Sequence, residues 1–231
     1  MGQVSRTTRQ IQILGSIQMK YFIVGGGDGI GAAFCNLLAS KNIEYYAPTR
    51  QEFDATDYSK ISETDFSEYT HFFYCAGSNR GTWRGFENNS WQNQLEQLET
   101  NFFSITQFAK QWINTNGAGT FIAVGSNGVQ LQNNGYRLIY DVSKEAVAST
   151  INLLRANWPN TRWVDVHPGK TKTGILIKGY EGSRSEQEVE EEYAKRPYFL
   201  STATAQMVWD AIDGPYNTLV MSDPHQFPQK G

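Results

Sequence analysis

The chain has 231 residues, with 20 Lys and Arg against 23 Asp and Glu, and a formal net charge of -3 at pH 7. That balance gives no electrostatic reason to expect a nucleic-acid partner, and no apolar run approaches the roughly 18 residues needed to cross a bilayer. The length is that of one domain able to bury about three quarters of its unfolded surface. Cys35 and Cys75 both fall in apolar segments and read as buried thiols in a reducing compartment, so a cytoplasmic protein is expected. His71, His167 and His225 have no ligand spacing, and no metal site is expected.

Residues 1–18 are polar and basic, without an acid, and are expected to be a flexible extension. They nearly fit an acylation signal, but Arg6 stands where Ser or Thr is wanted, and the apolar core of a secretory signal is missing. Met19 to Val24 reads as a first strand. It is followed by Gly25-Gly26-Gly27-Asp28-Gly29-Ile30-Gly31 and then by a helix-forming segment. Glycines let the backbone turn tightly and approach a pyrophosphate. The helix that follows presents free N–H groups and the positive end of its dipole. Strand, glycine turn and helix in that order predict a dinucleotide site on Gly25, Gly27, Asp28, Gly29, Ile30 and Gly31.

A second strand, Ile43 to Ala47, leads to Arg50. An arginine at this tip would pair a 2′-phosphate where an acid would accept from a 2′-hydroxyl, which favours NADP(H) over NAD(H). Asp28 pulls mildly the other way, and Arg50 also reads plainly as a solvated loop residue. Residues 53–69 are expected to be a short connection with few apolar residues, and the short span from Asp57 to the next strand implies that an intervening helix and strand have been trimmed. Thr70 to Cys75 is a further strand, closed by Ala76-Gly77. The turn-rich loop 78–90 should lie on the ligand side. Ser90 fits the N-cap of a helix over 91–114. Within it Asn101 sits among Leu98, Phe102, Phe103 and Ile105; it either faces solvent or must find partners in the interior.

Thr120 to Val124 is an apolar run suited to a strand buried on both faces, ending at Ser126. Tyr140 and Lys144 follow as i and i+4 of one helix, hence one turn apart on one face. An ammonium about 4.5 Å from a phenol, at an effective dielectric of about 20, contributes roughly 3.7 kcal/mol, or roughly two to three pKa units. Lys144 could thus bring Tyr140 into the range of a general acid/base, with Ser126 holding a substrate oxygen. Thr161 to His167 is a later strand, and His167 reads as a satisfied strand-end residue, not a catalyst. Residues 174–197 turn polar, with a short glutamate-rich helix; they are expected to form a flap over the site or a plain solvated helix. A last helix (201–212) and strand (217–221) complete an α/β pattern. The fold expected is a single-domain, Rossmann-like, doubly wound parallel sheet flanked by helices over 19–231.

These elements together resemble the short-chain dehydrogenase/reductase family. The glycine loop of that family, T-G-x-x-x-G-I-G, is similar to Val24 through Gly31, and its N-N-A-G element to Tyr74-Cys75-Ala76-Gly77. Its helix asparagine, serine and Y-x-x-x-K pair fall on Asn101, Ser126, Tyr140 and Lys144, with Ser126 fourteen positions before Tyr140. The resemblance implies an NAD(P)(H)-dependent oxidoreductase that interconverts a small-molecule carbonyl and a secondary alcohol. Tyr140 would be the general acid/base, Lys144 would lower its pKa and hold the nicotinamide ribose, and Ser126 would orient the oxygen. Asn101 would anchor a water. Asp54 would contact adenine, and Pro168, Gly169, Thr171 and Thr173 would stand beside the cofactor, Thr173 at its carboxamide. Cys75, Ala76 and Gly77 would line the same cleft. A homodimer or homotetramer is implied through helices over 91–114 and 140–157. Val24, Tyr74 and Cys75 depart from the family pattern and are expected to remove braces from the glycine loop. A catalytically silent dinucleotide-binding sensor or scaffold, and an epimerase or dehydratase with tightly held cofactor, are the alternatives.

Overall fold

The computed structural model describes residues 18–127, 137–175, 185–194 and 198–221. The extension before residue 18, most of the loop after Ser126 and much of the expected flap lie outside them. In chain order the elements are β1 (Lys20–Val24), α1 (Gly29–Ser40), β2 (Glu44–Tyr46), α2 (Tyr58–Glu63), β3 (His71–Tyr74), α3 (Trp91–Leu98), α4 (Ser104–Thr115) and β4 (Thr120–Val124). They continue with α5 (Leu138–Asn157), β5 (Arg162–His167), β6 (Thr171–Lys172), α6 (Glu186–Ala194), β7 (Phe199–Leu200), α7 (Ser201–Asp213) and β8 (Thr218–Val220).

Six of the strands make one sheet in the order β2-β1-β3-β4-β5-β8, and every neighbouring pair in it is parallel. Side chains alternate between the faces of a strand, and the aromatic residues here are in register. Phe22 is opposite Phe72, Phe72 opposite Phe121, and Phe121 opposite Trp163. Their rings form a column with centroids 5.6, 4.6 and 5.2 Å apart, sealed by Phe108 and Trp112 of α4 and by Val147 and Ile151 of α5. Tyr21, Ile23, Phe73, Ile122 and Val164 point to the other face, where Phe34 and Leu38 of α1 and Val208 of α7 cover them. Each fully buried side chain of this size is worth about 1.5–3 kcal/mol of transfer free energy. The two-sided core is what makes the sheet a rigid platform.

Two expectations need correcting. The connection over residues 53–69 is not poor in core residues: Phe53, Ala55, Ile61, Phe66 and Tyr69 are all buried. A six-residue helix, α2, survives there, capped by Asp57 through Lys60 N. The helix expected over 91–114 runs to Thr115 but is interrupted by a π-helical turn at Glu99–Phe103, with Asn101 at its centre. A small parallel pair, β6 with β7, had no sequence signal, because two-residue strands carry no periodicity.

β1 lies between β2 and β3, so the direction of winding reverses there. In open α/β sheets the crevice beyond the carboxyl ends of the strands at such a point is where ligands bind. Gly25 and the Cys75–Gly77 segment flank it.

Candidate active site

The glycine turn is shaped by contacts that a side chain would prevent. A Cβ on Gly25, whose φ is +86°, would lie 2.5 Å from Ala76 N, and one on Gly31 would lie 2.1 Å from Gly25 O. At Gly27 an added Cβ would meet open space. Asp28 caps α1, its carboxylate accepting from Gly29 N at 2.6 Å. Thr173 and Gly174 lie against this turn: a Cβ on Gly29 would come within 2.9 Å of Thr173 Cγ2, and one on Gly174 within 2.7 Å of Asp28 Oδ2. Ile30 packs on the α1 side of the core, and Ala76 on the other.

At the departing positions, Cys75 N donates to Val24 O at 2.8 Å. Burial pushes the Cys75 thiol up to about 12, although the charge of Lys144 pulls against it. Tyr74 sends its hydroxyl to Thr100 O in the π-helical turn.

At the adenosine end, Arg50 Nε donates to Asp54 Oδ2 at 3.1 Å, and Asp54 Oδ1 accepts from Thr56 N and Oγ1 at 2.9 and 2.8 Å. Partial burial works against the Asp54 charge, but the Thr56 and Arg50 bonds outweigh it and hold the carboxyl below its usual range. Pro168 and Gly169 are buried at the end of β5. The Thr171 hydroxyl donates to Gly169 O at 3.0 Å and lies 3.2 Å from Thr204 Oγ1.

Ser126 and Tyr140 come together beyond the end of β4, their hydroxyls hydrogen-bonded. Lys144, one turn further along α5, is 3 % exposed and donates to Val124 O at 3.0 Å. A Cβ on Gly77 would lie 3.6 Å from its Nζ and 3.3 Å from Asn101 Oδ1, so Lys144 and Asn101 adjoin the crevice beside the glycine turn. Burial holds the Lys144 ammonium down to about 8.

The Tyr140 phenol departs from expectation. Burial raises its pKa, with Asp141 adding to the rise, while the positive Arg137 and the Ser126 bond pull the other way. The reason is that desolvation penalises the charged form of each partner. It disfavours phenolate and ammonium alike, so the lysine is itself weakened as a source of charge. Tyr140 is thus a proton-bearing acid near neutral pH in this state.

Asn101 is fully buried, which excludes the solvent-facing reading. Its Oδ1 accepts from Ser78 N, and its Nδ2 donates to Ser78 O and to Ser143 Oγ, at 2.8, 2.8 and 3.0 Å. Ser143 in turn donates to Tyr140 O at 2.6 Å. The side chain therefore clamps the end of β3 to α5. Sequence reasoning missed Ser143 and Arg137, whose guanidinium lies 5.2 Å from the Tyr140 ring centroid. Their positions three residues either side of Tyr140 on one helix were the available signal. Among the described residues no group of three His, Cys, Asp or Glu could hold a metal ion.

No protein-family model matches the chain, and a search of curated proteins finds no relative. Solved structures do match. A short-chain dehydrogenase from Burkholderia cenocepacia, solved in complex with NADP, superposes with a TM-score of 0.75 at 18% identity over 90% of each chain. A small-chain dehydrogenase in complex with NADPH gives 0.75 at 18% identity, over 90% of this chain and 97% of that one. The ligand-free aldohexose dehydrogenase of Thermoplasma acidophilum gives 0.70 at 18% identity, over 88% of this chain and 92% of that one. The chain has the short-chain dehydrogenase fold.

Proposed function

We propose that this protein is an NAD(P)(H)-dependent oxidoreductase that interconverts a carbonyl and a secondary alcohol. The observation that carries the reading is the Ser126 hydroxyl bonded to the Tyr140 phenol, with a buried Lys144 ammonium one turn further along the same helix and bonded to Val124 O, beside a glycine turn at the reversal of the sheet. A buried ammonium bonded to a backbone carbonyl is costly to keep for structure alone. The crevice fits a dinucleotide in that Gly25 and Gly31 hold the turn in a form no side chain permits, while Gly27 faces open space. Gly25, Gly27, Gly29, Ile30 and Gly31 would hold the pyrophosphate, with Cys75–Gly77, Pro168, Gly169 and Thr173 alongside and Asp54 toward the adenine. A bound nicotinamide supplies or accepts the hydride. Tyr140 gives its proton to the carbonyl oxygen in reduction and takes it back in oxidation, and Ser126 orients that oxygen. Lys144 holds the ribose and stabilises the phenolate as it forms.

Arg50 favours NADP(H) over NAD(H), a choice supported by two similar structures solved in complex with NADP and NADPH; Asp28 in the glycine turn opposes it. A cytoplasmic location accords with two cysteines free of disulfide. No helix among the described residues is long and apolar enough to cross a membrane. A homo-oligomer built on α3, α4 and α5 would cover Trp91, Phe103, Val142 and Leu153, which are exposed.

Tyr140→Phe tests the reading. Nicotinamide-coupled turnover of a carbonyl panel, followed at the reduced-nicotinamide absorbance band, should fall by roughly 10²–10⁴-fold, with NADPH binding retained. Unchanged turnover would refute it.

A further inference from the structure

We propose that His167, locked by Asp165, is the positioning residue that holds Ser126 against Tyr140. The inference rests on the catalytic reading of Ser126 and goes beyond it by explaining how that hydroxyl is kept in place.

The loop that carries Ser126 is pinned to the end of β5 by three successive contacts. Gly125 N donates to Val166 O at 2.7 Å, and Asn127 N donates to Pro168 O at 3.1 Å. Between them Ser126 O faces not a backbone group but His167 Nδ1, at 3.4 Å. The imidazole is seated on the loop itself: a Cβ on Gly125 would lie 2.8 Å from Nδ1 and 2.9 Å from Cε1. The ring is only 5 % exposed.

The opposite ring nitrogen, Nε2, lies 2.8 Å from Asp165 Oδ2. Asp165 cannot turn away. Its Oδ1 accepts from Arg155 Nη2 at 2.8 Å and from Thr218 Oγ1 at 2.7 Å, and Arg155 is itself tied to Trp163 O and Asn217 O. Asp165 and His167 are i and i+2 on β5, so both side chains share one face of the sheet. The groups around the ring are thus the Asp165 carboxylate from β5 with Arg155 of α5 and Thr218 of β8 behind it, and the Gly125–Ser126 backbone after β4.

A carboxylate and a carbonyl oxygen can only accept. A ring nitrogen faces each of them, so the grip on Ser126 requires a hydrogen on both nitrogens. The Asp165 end of the pair sets the angle of the ring. Burying this pair is expensive. What it achieves is a fixed carbonyl at the one residue whose hydroxyl must reach Tyr140.

The test uses the full chain with NADPH, and 4-nitrobenzaldehyde as the probe carbonyl, comparing Ser126→Ala, His167→Gln and the double variant. Loss of this contact should lower kcat by roughly tenfold, leaving KM and the Kd for NADPH within about twofold. If His167 acts through Ser126, His167→Gln should cost no more than about twofold further in the Ser126→Ala background. Multiplying losses would overturn the proposal. Asp165→Asn, which keeps the shape and removes the charge, should repeat the single-variant pattern if His167→Gln does not fold. Nitrogen-15 NMR of the unmodified protein needs neither a variant nor turnover: two protonated ring nitrogens on His167 support the grip, and a bare Nδ1 sinks it. Full turnover in Ser126→Ala and Tyr140→Phe would instead be the failure of the catalytic reading, with the NMR result still deciding the state of His167.

Discussion

At the adenosine end of the cleft, Arg50, Asp54 and Thr56 are held by bonds reaching no more than four residues along the chain. At the catalytic end, Asn101 reaches 42 residues to Ser143, Lys144 reaches 20 to Val124, and His167 stands 41 from Ser126. The first set is exposed at Arg50 and half-buried at Asp54 and Thr56, and water screens its charges. The second is enclosed, and enclosure changes what each group is: the ammonium is weakened, the phenol is made a poorer acid, and the asparagine must spend every polar atom. Local, wet contacts can be exchanged at little cost to the fold. Long-range, dry ones tie the chemistry to the stability of the whole sheet.

The strongest break of that contrast is Lys144→Met. Turnover should fall by about 100-fold or more, yet the ligand-free protein should become more stable at pH 7, because a buried charge is replaced by an apolar chain of similar length. The sign follows from linkage. A folded-state value of about 8 against the ordinary 10.5 means the unfolded chain binds more protons between those limits, so wild-type stability rises with pH across that window. Below about pH 8 the penalty is present in full, at about 3 kcal/mol. Urea unfolding at pH 7 and pH 10 should show this rise in the wild type relative to the variant; parallel curves would contradict it.

Asn101→Ala should follow in size. It strands the Ser78 backbone groups and Ser143, and should cost about 2–4 kcal/mol of stability, read from urea midpoints, along with a loss of turnover as β3 parts from α5. The smallest effect belongs to the exposed end. Arg50→Gln should leave stability within about 0.5 kcal/mol and lower NADPH affinity about tenfold without changing that for NADH, by titration calorimetry. A stability loss at Arg50 as large as that at Asn101 would erase the distinction between the two ends.

Much of this was legible in the residues. Alternation of apolar runs and helix-forming segments fixed the layers, and the glycine spacing located the turn. Tyr140 and Lys144 share a face because helical geometry is local. The sign of the Tyr140 shift was not legible, since a pairwise estimate carries the attraction between two charges and omits the cost of enclosing them. Asn101 could be recognised as a polar residue among apolar neighbours, but not its partners, which come from a strand and another helix. His167 was read as satisfied at a strand end; that it is satisfied by Asp165, on the one carbonyl before the catalytic loop, required β4 and β5 to be neighbours.

By itself the sequence determined the order of elements, the position of the glycine turn and the residue types available for proton transfer, because each of these depends on contacts a few residues long. Only the tertiary structure decided which of those residues lose water, which backbone carbonyls they meet, and therefore which protonation states they favour. Solvation is a property of the assembled neighbourhood, and that neighbourhood is brought together from distant parts of the chain.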